Sequence, residues 1–329
     1  MNEELKIKIL DFCLGLGLDT VGFISCRDFT ELEPILQNRK KHGLENQFEE
    51  RDIQKRVSPN LFMEEGKTII SIAFPYLYST EEPKGEINFS SYTYGEDYHK
   101  VVEKYLGKIC GFIEGLGGKA KSFVDSNALP ERYIAKLAGI GHIGKNQMLI
   151  TKKYGSYVFL GEIITDLKLE PSKVNNTGCG KCSLCIKSCP SNAITENGCN
   201  PNLCLSYITQ KKELEAELLF KLEGRLFGCD TCQAVCPKNF KLEFSPIEEF
   251  KPFEFMVNPD LEEIFNMNNN TFKEKYKNTS CGWRGKALLQ RNVLLNLFSK
   301  GEGQSINFNN IKSSYVKEYY HRLFKLMKL

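Results

Sequence analysis

Cys179-Gly-Lys-Cys182-Ser-Leu-Cys185-Ile-Lys-Ser-Cys189-Pro190 decides how the middle of this 329-residue chain folds. The spacing Cys-x2-Cys-x2-Cys-x3-Cys-Pro is that of bacterial ferredoxins, in which three thiolates hold one cubane and the fourth reaches a second. Forty residues on, Cys229-x2-Cys232-x3-Cys236-Pro237 answers it. These seven cysteines need one more thiolate to complete two 4Fe-4S clusters, and Cys199 and Cys204 lie between the runs. The expected partition places Cys179, Cys182, Cys185 and Cys236 on one cluster. Cys189, Cys229 and Cys232 take the other, with Cys204 or Cys199. Zinc sites close with four ligands in paired runs and would leave one cysteine of the first run unused. Disulfides are disfavoured because the N-terminal MNEELKIKIL has no apolar signal stretch.

With 41% hydrophobic residues the chain can bury a sizeable core. The longest apolar stretch, around 68–78, is interrupted by Pro75 and is too short to span a membrane. No export signal is evident, so a reducing cytoplasm is the expected setting, with no membrane contact and a monomer as the expected state. The net charge of +3 hides an asymmetry: residues 270–329 hold twelve Lys or Arg against three acidic residues. A basic end region in an otherwise balanced chain points to a polyanionic partner such as RNA, or to a solvated lysine-rich helix surface.

Ahead of the cysteines, apolar spacing predicts helices over 3–16, 98–116 and 130–138. β-Branched runs predict strands over 20–24, 67–74 and 157–164, with 122–124 extended. The whole reads as α+β. An N-terminal α/β domain (1–170) is followed by a ferredoxin-like two-cluster domain (171–242) and a small basic helical region (243–329). One loop-rich passage, 124–146, is dense in polar residues and glycine. Its Gly139-x-Gly141-x2-Gly144 mimics a dinucleotide fingerprint but follows a helix rather than a strand, which removes that reading. Three glycines so close still require the backbone to approach something tightly. Asp125, between a strand and a helix, is placed either to cap the helix or to face a pocket as an acid, and position favours the cap.

Further segments carry a resemblance. They are Tyr92-Thr-Tyr-Gly-Glu-Asp-Tyr-His99, Val124-Asp-Ser126 with Glu131-Arg132, Ala138 to Asn146, Cys204-Leu-Ser-Tyr-Ile-Thr209, Gly228-Cys-Asp-Thr-Cys-Gln233 and Trp283-Arg-Gly-Lys286 with Gln290-Arg-Asn292. Together with the cysteine runs, and in this order, they resemble the epoxyqueuosine reductases over nearly the whole chain. These are cobalamin-dependent, two-cluster enzymes of tRNA modification related to reductive dehalogenases. The resemblance implies that Asp125 is the proton donor, which moves the balance away from a simple cap. It also implies that Cys204 is the eighth cluster ligand, leaving Cys199 spare. Arg51, Lys145, Ser206 and Asp230 are implied to line the corrinoid. The chain departs from the family pattern at Pro130, two places later than usual, and at His142, where tryptophan is common. Longer members continue into a helical-repeat domain.

The implied reaction reduces epoxyqueuosine to queuosine at the wobble position of tRNA. An external low-potential donor supplies electrons through the two clusters, and the anticodon stem-loop is the substrate. Such chemistry needs Asp125 protonated near neutral pH, hence a buried site that raises its pKa. His99 and His142 are expected in polar structural or substrate-contact roles rather than as cobalt ligands. Trp283 is expected to open an amphipathic helix as a core anchor, with Arg284, Lys286 and Arg291 free for phosphates. A reductive dehalogenase acting on a small organohalide, or an iron-sulfur protein activating a corrinoid partner, are the alternatives. The first has no use for a basic C-terminal region, and the second has no use for Asp125.

Overall fold

The computed structural model describes residues 2–79, 85–174, 177–303 and 306–327. Its centre is a four-stranded sheet in the order Val21–Ser25, Thr68–Pro75, Val158–Thr165, Ala120–Phe123. Every pairing is antiparallel. The alternation of helix and strand in the sequence therefore yields a mixed α/β arrangement whose central sheet is antiparallel, and parallel pairing falls on the short strands Asn88–Phe89 and Arg225–Phe227. The expected elements fall within a residue or two of the observed ones, since continuous β-branched runs suit strands covered on both faces.

Period-two alternation divides the Thr68–Pro75 strand cleanly. Ile70, Ile72 and Phe74 join Ile9 and Cys13 of the Asn2–Gly15 helix and Val101, Leu106 and Ile109 of the Tyr98–Gly115 helix. Ile69 and Ala73 join Ile134, Ala135 and Ala138 on the opposite side, in and beside the Glu131–Leu137 helix. Gly161 is where the Tyr98–Gly115 helix crosses the sheet: a Cβ there would stand 2.9 Å from both Leu106 and Val102. The first core also takes in Ile247 and Phe250, from well beyond the cysteine runs.

The glycine-rich passage resolves into a short hairpin, Gly141–Ile143 against Leu149–Thr151. Its glycines admit the chain itself: a Cβ on Gly139, at φ +77°, would lie 2.3 Å from the Lys173 carbonyl oxygen, and one on Gly141 2.4 Å from that of Ile150.

Around the cysteines the elements are short: helices Leu184–Ser188 and Thr231–Ala234 and a hairpin of Ile194–Thr195 with Gly198–Cys199. The C-terminal region packs on this unit through the Lys286–Ser299 helix. That helix is buried around its circumference between two apolar cores, so the expected amphipathic surface helix is not what forms. Arg291 is correspondingly 0% exposed. Its guanidinium donates to the carbonyls of Lys211, Lys212 and Thr209 and to Asn292 Oδ1 at 2.7–3.2 Å. It ties the helix to the 205–212 segment and is not available to phosphate. Trp283 also departs from expectation. It lies in a 3-10 turn, Gly282–Arg284, before the helix begins, and is 54% exposed rather than a core anchor. No helix among the described residues is long and apolar enough to cross a membrane.

Candidate active site

Asp97 caps the Tyr98–Gly115 helix, its Oδ1 accepting from the backbone N–H of His99 at 3.2 Å. This fixes His99 in the first turn, where its Nδ1 also meets Asp97 Oδ1 at 2.8 Å. The other ring nitrogen, Nε2, stands 3.0 Å from Asp125 Oδ2. Tyr98 stacks on the imidazole at 4.1 Å and on Phe159 at 4.2 Å, holding the ring plane from one side. Asp97, His99 and Asp125 thus form one hydrogen-bonded chain that ends on a half-exposed carboxylate.

Asp125 does not cap the following helix: the cap position is Pro130, which makes no side-chain cap bond. Instead its backbone is held at φ +44°, in the left-handed region that a residue with a Cβ seldom adopts. Two bonds to one acceptor hold it there. The Asp125 N–H donates to Glu131 Oε1 at 2.7 Å, and Asn127 Nδ2 donates to the same oxygen at 2.9 Å. Burial and the Asp125 charge raise the Glu131 carboxyl to about 7. Beneath it lies Glu162, 0% exposed, on the strand paired with Phe123. Ser71 Oγ donates to Glu162 Oε1 at 3.1 Å, while Oε2 has no partner among the described residues. Burial, reinforced by the Glu131 charge, pushes Glu162 well above the carboxylate range, so it stands as a neutral acid.

The expectation of a neutral Asp125 is corrected by His99. Burial pushes the Asp125 carboxyl up, but the His99 hydrogen bond and charge outweigh it, and the group titrates below its ordinary value. Burial also works against charge on His99, yet its bonds to Asp125 and Asp97 raise it to about 9. At neutral pH the proton therefore sits on the imidazole. Sequence reasoning assigned no partnership to His99, Glu131 or Glu162. The Asp-x-His cap at 97–99 was the one local signal available.

The cysteines divide electrostatically into two sets. Cys185 feels Cys179, Cys236 and Cys182, and Cys236 feels Cys179 and Cys182. Cys204 feels Cys229 and Cys189, and Cys232 feels Cys229 and Cys204. Cys199 lies beside Cys204 and Cys189 at the edge of the second set. Backbone N–H groups of Ser206 and Tyr207 point at Cys204 Sγ, and those of Lys238 and Asn239 at Cys236 Sγ, the donors that thiolate ligands of a cluster require. No disulfide joins any of the thirteen cysteines. Half-buried Tyr92, in the segment that carries His99, packs on Gly228 beside Cys229, where a Cβ would stand 2.6 Å from its ring.

Of the other expected residues, Asp230 is engaged internally: Ser90 Oγ donates to it at 2.5 Å and the Ser91 N–H at 2.6 Å. Lys145 pairs with exposed Glu196 at 3.0 Å beside a depression of about 310 Å³ that reaches Cys179. Arg51 is exposed and Ser206 half-buried. His142 is buried, with Nδ1 3.1 Å from Thr177 Oγ1 and Nε2 without a partner among the described residues.

A hydrogen-bonded His–Asp pair beside two ferredoxin-type cysteine runs marks an iron-sulfur oxidoreductase. Residues 178–239 match the 4Fe-4S double cluster binding domain, and residues 56–126 match the family described as Epoxyqueuosine reductase QueG, DUF1730. An epoxyqueuosine reductase of Bacillus cereus is 38% identical over 314 residues, covering 92% of this chain and 83% of the relative. A crystal structure of epoxyqueuosine reductase with an epoxyqueuosine-modified tRNA-Tyr stem loop superimposes with a TM-score of 0.90 at 30% identity, covering 99% of each chain. The Bacillus subtilis enzyme, solved with its aspartate-bearing catalytic loop swung out of the active site, gives 0.90 at 32% identity, covering 96% of this chain and 88% of that one. The chain belongs to the epoxyqueuosine reductase family.

Proposed function

We propose that Asp125 and His99 together form the proton source for the reduction of epoxyqueuosine to queuosine in tRNA, the reaction of this family. Turning an epoxide into an alkene consumes two electrons and two protons and releases the ring oxygen as water. The oxygen departs poorly as an alkoxide, so it needs a proton as the C–O bond breaks. The observation that carries the assignment is the Asp97–His99–Asp125 chain. Imidazolium Nε2 passes its proton across the 3.0 Å bond to Asp125 Oδ2, and the half-exposed carboxyl delivers it to the substrate oxygen. Asp97 keeps the other ring nitrogen protonated, so the neutral imidazole left behind has one tautomer.

Two 4Fe-4S clusters are assigned to Cys179, Cys182, Cys185 with Cys236 and to Cys189, Cys204, Cys229 with Cys232. Cobalamin is the cofactor this reading requires. Exposed Arg51, half-buried Ser206 and Lys145, which would give up its exposed Glu196 partner, would hold it, whereas Asp230 supports the Ser90–Ser91 turn. When bound, its cobalt supplies the low-potential centre that the polypeptide lacks. On the RNA side, exposed Trp283 and Phe48 meet edge to face at 5.5 Å, with the Arg284 guanidinium 4.6 Å from the indole. Such a platform suits an unstacked anticodon base. The Asp125 loop moves between an inward and an outward position, as in the relative caught with its loop out.

Asp125→Asn tests the proton source, because the amide keeps the shape and cannot donate a carboxylic proton. Mass spectrometry of nucleosides from epoxyqueuosine-containing tRNA is expected to show turnover reduced about 100-fold or more. Iron content and tRNA binding stay unchanged. Unaltered turnover refutes the assignment.

A further inference from the structure

We propose that the surface around Cys179, Cys182, Cys185 and Cys236 is the docking face for a small acidic one-electron carrier protein, which loads that cluster first. The inference rests on the cluster assignment above.

The two cysteine sets are not equivalent in position. Gly228, beside Cys229 of the second set, packs on the ring of Tyr92, in the segment that carries His99, so that set adjoins the proton site. The first set meets the second where the Leu184–Ser188 helix, which holds Cys185, packs on the Thr231–Ala234 helix, which holds Cys232. Electrons bound for the Asp125 region therefore enter at the first set and leave from the second. A 4Fe-4S cluster accepts one electron at a time, so each epoxide requires two encounters, each oxidising one carrier by one electron and reducing the cluster by one.

The surface over the first set has the character of a docking face. Lys181, Lys187, Lys238 and Lys241 are exposed, and each lies within five residues of one of its four cysteines. Residues 171–195 and 231–242 contain no Asp or Glu. The flanking acids are already engaged, Glu196 by Lys145 and Glu243 by Lys153. Among the described residues none of the four lysines has an ion-pair partner, so the face presents uncompensated positive charge. The same segments carry exposed apolar side chains, Leu184 at 46%, Phe240 at 65% and Phe244 at 49%. Like charge beside exposed apolar side chains is how transient protein partners are steered and seated. RNA would also answer the charge, but the aromatic platform at Trp283 and Phe48 lies on other segments, and the substrate base has to reach Asp125.

The test uses full-length, cluster-loaded protein carrying Lys181→Gln, Lys187→Gln, Lys238→Gln and Lys241→Gln together. Reduced flavodoxin is the probe, and the readout is stopped-flow bleaching of cluster absorbance, which needs no tRNA. The expected result is a bleaching rate about tenfold lower at low salt, with a flattened dependence on ionic strength. Reduction by dithionite with methyl viologen, iron content and affinity for the tRNA stem-loop stay the same. Unchanged flavodoxin rates overturn the proposal. So does a selective loss of tRNA affinity, which would give the face to RNA. If flavodoxin bleaches the unsubstituted clusters through this face yet no epoxide is reduced, the failure belongs to the assigned reaction and not to the docking face.

Discussion

Replacing Glu131 by alanine removes the acceptor of two hydrogen bonds that hold the backbone of the Asp125 loop, and leaves the His99 bond to its carboxylate as the remaining anchor. Two bonds end on Glu131 Oε1, from the Asp125 N–H at 2.7 Å and from Asn127 Nδ2 at 2.9 Å. Hydrogen bonds to a charged acceptor contribute about 1.5–3 kcal/mol each where water is excluded, and less where the freed donor regains water. With Asp125 half-exposed, roughly 2–4 kcal/mol for the pair is reasonable. Opposing them is the left-handed backbone of Asp125, which costs a non-glycine residue about 1 kcal/mol. Loss of the acceptor then shifts the ratio of held to released loop by about 30- to 700-fold, at 1.4 kcal/mol per tenfold. The expected outcome is a fall in turnover with dithionite and methyl viologen as reductant, and faster hydrogen exchange at the Asp125 amide. Iron content and tRNA affinity are retained. Glu131→Gln keeps an acceptor oxygen without charge and is expected to lose about tenfold. Full turnover in Glu131→Ala, with exchange at Asp125 unchanged, would falsify the latch.

The His99 proton gives a pH signature. Its pKa is raised from 6.5 to about 9, so the stabilisation from its partners is complete below pH 6.5 and is lost as pH rises through about 9. Turnover should fall over the same upper limb, and Asp97→Asn should move that limb to lower pH; a limb that stays in place removes Asp97 from the proton chain. Cys204→Ser should lower the iron count from about eight, while Cys199→Ser leaves it near eight, and the reverse result redraws the ligand set. Arg291→Ala leaves the Lys211, Lys212 and Thr209 carbonyls without their donor and should lower stability by about 3 kcal/mol in denaturant melts. A variant as stable as the parent would return Arg291 to the surface.

The ferredoxin spacing was legible because cluster ligation is local: three thiolates around one cubane impose fixed short separations on the chain, whatever surrounds it. Strands and helices were legible for a similar reason, since Thr68–Pro75 is apolar but for Thr68 and Ser71 and Tyr98–Gly115 repeats at helical spacing. The order and direction of the strands were not, because antiparallel and parallel sheets bury the same residues. Charge misled at Arg291: an arginine reads as exposed until three carbonyls from residues some eighty positions away satisfy it. Glycine was ambiguous at Gly139 and Gly141, where close approach was readable but the approaching atoms, backbone oxygens of Lys173 and Ile150, were not.

The sequence by itself determined that this protein has two cysteine runs suited to cubane clusters, a helix over 98–116 and an acid at Asp125 between a strand and a helix. Only the tertiary structure decided what surrounds that acid. A carboxylate's proton affinity depends on the charges and dielectric within a few ångströms of it, and at Asp125 these come from His99, 26 residues away in sequence, while Glu131 and Glu162 hold its backbone and line the interior beneath. No spacing rule links those four positions, because they meet only when the antiparallel sheet closes between its two helical layers.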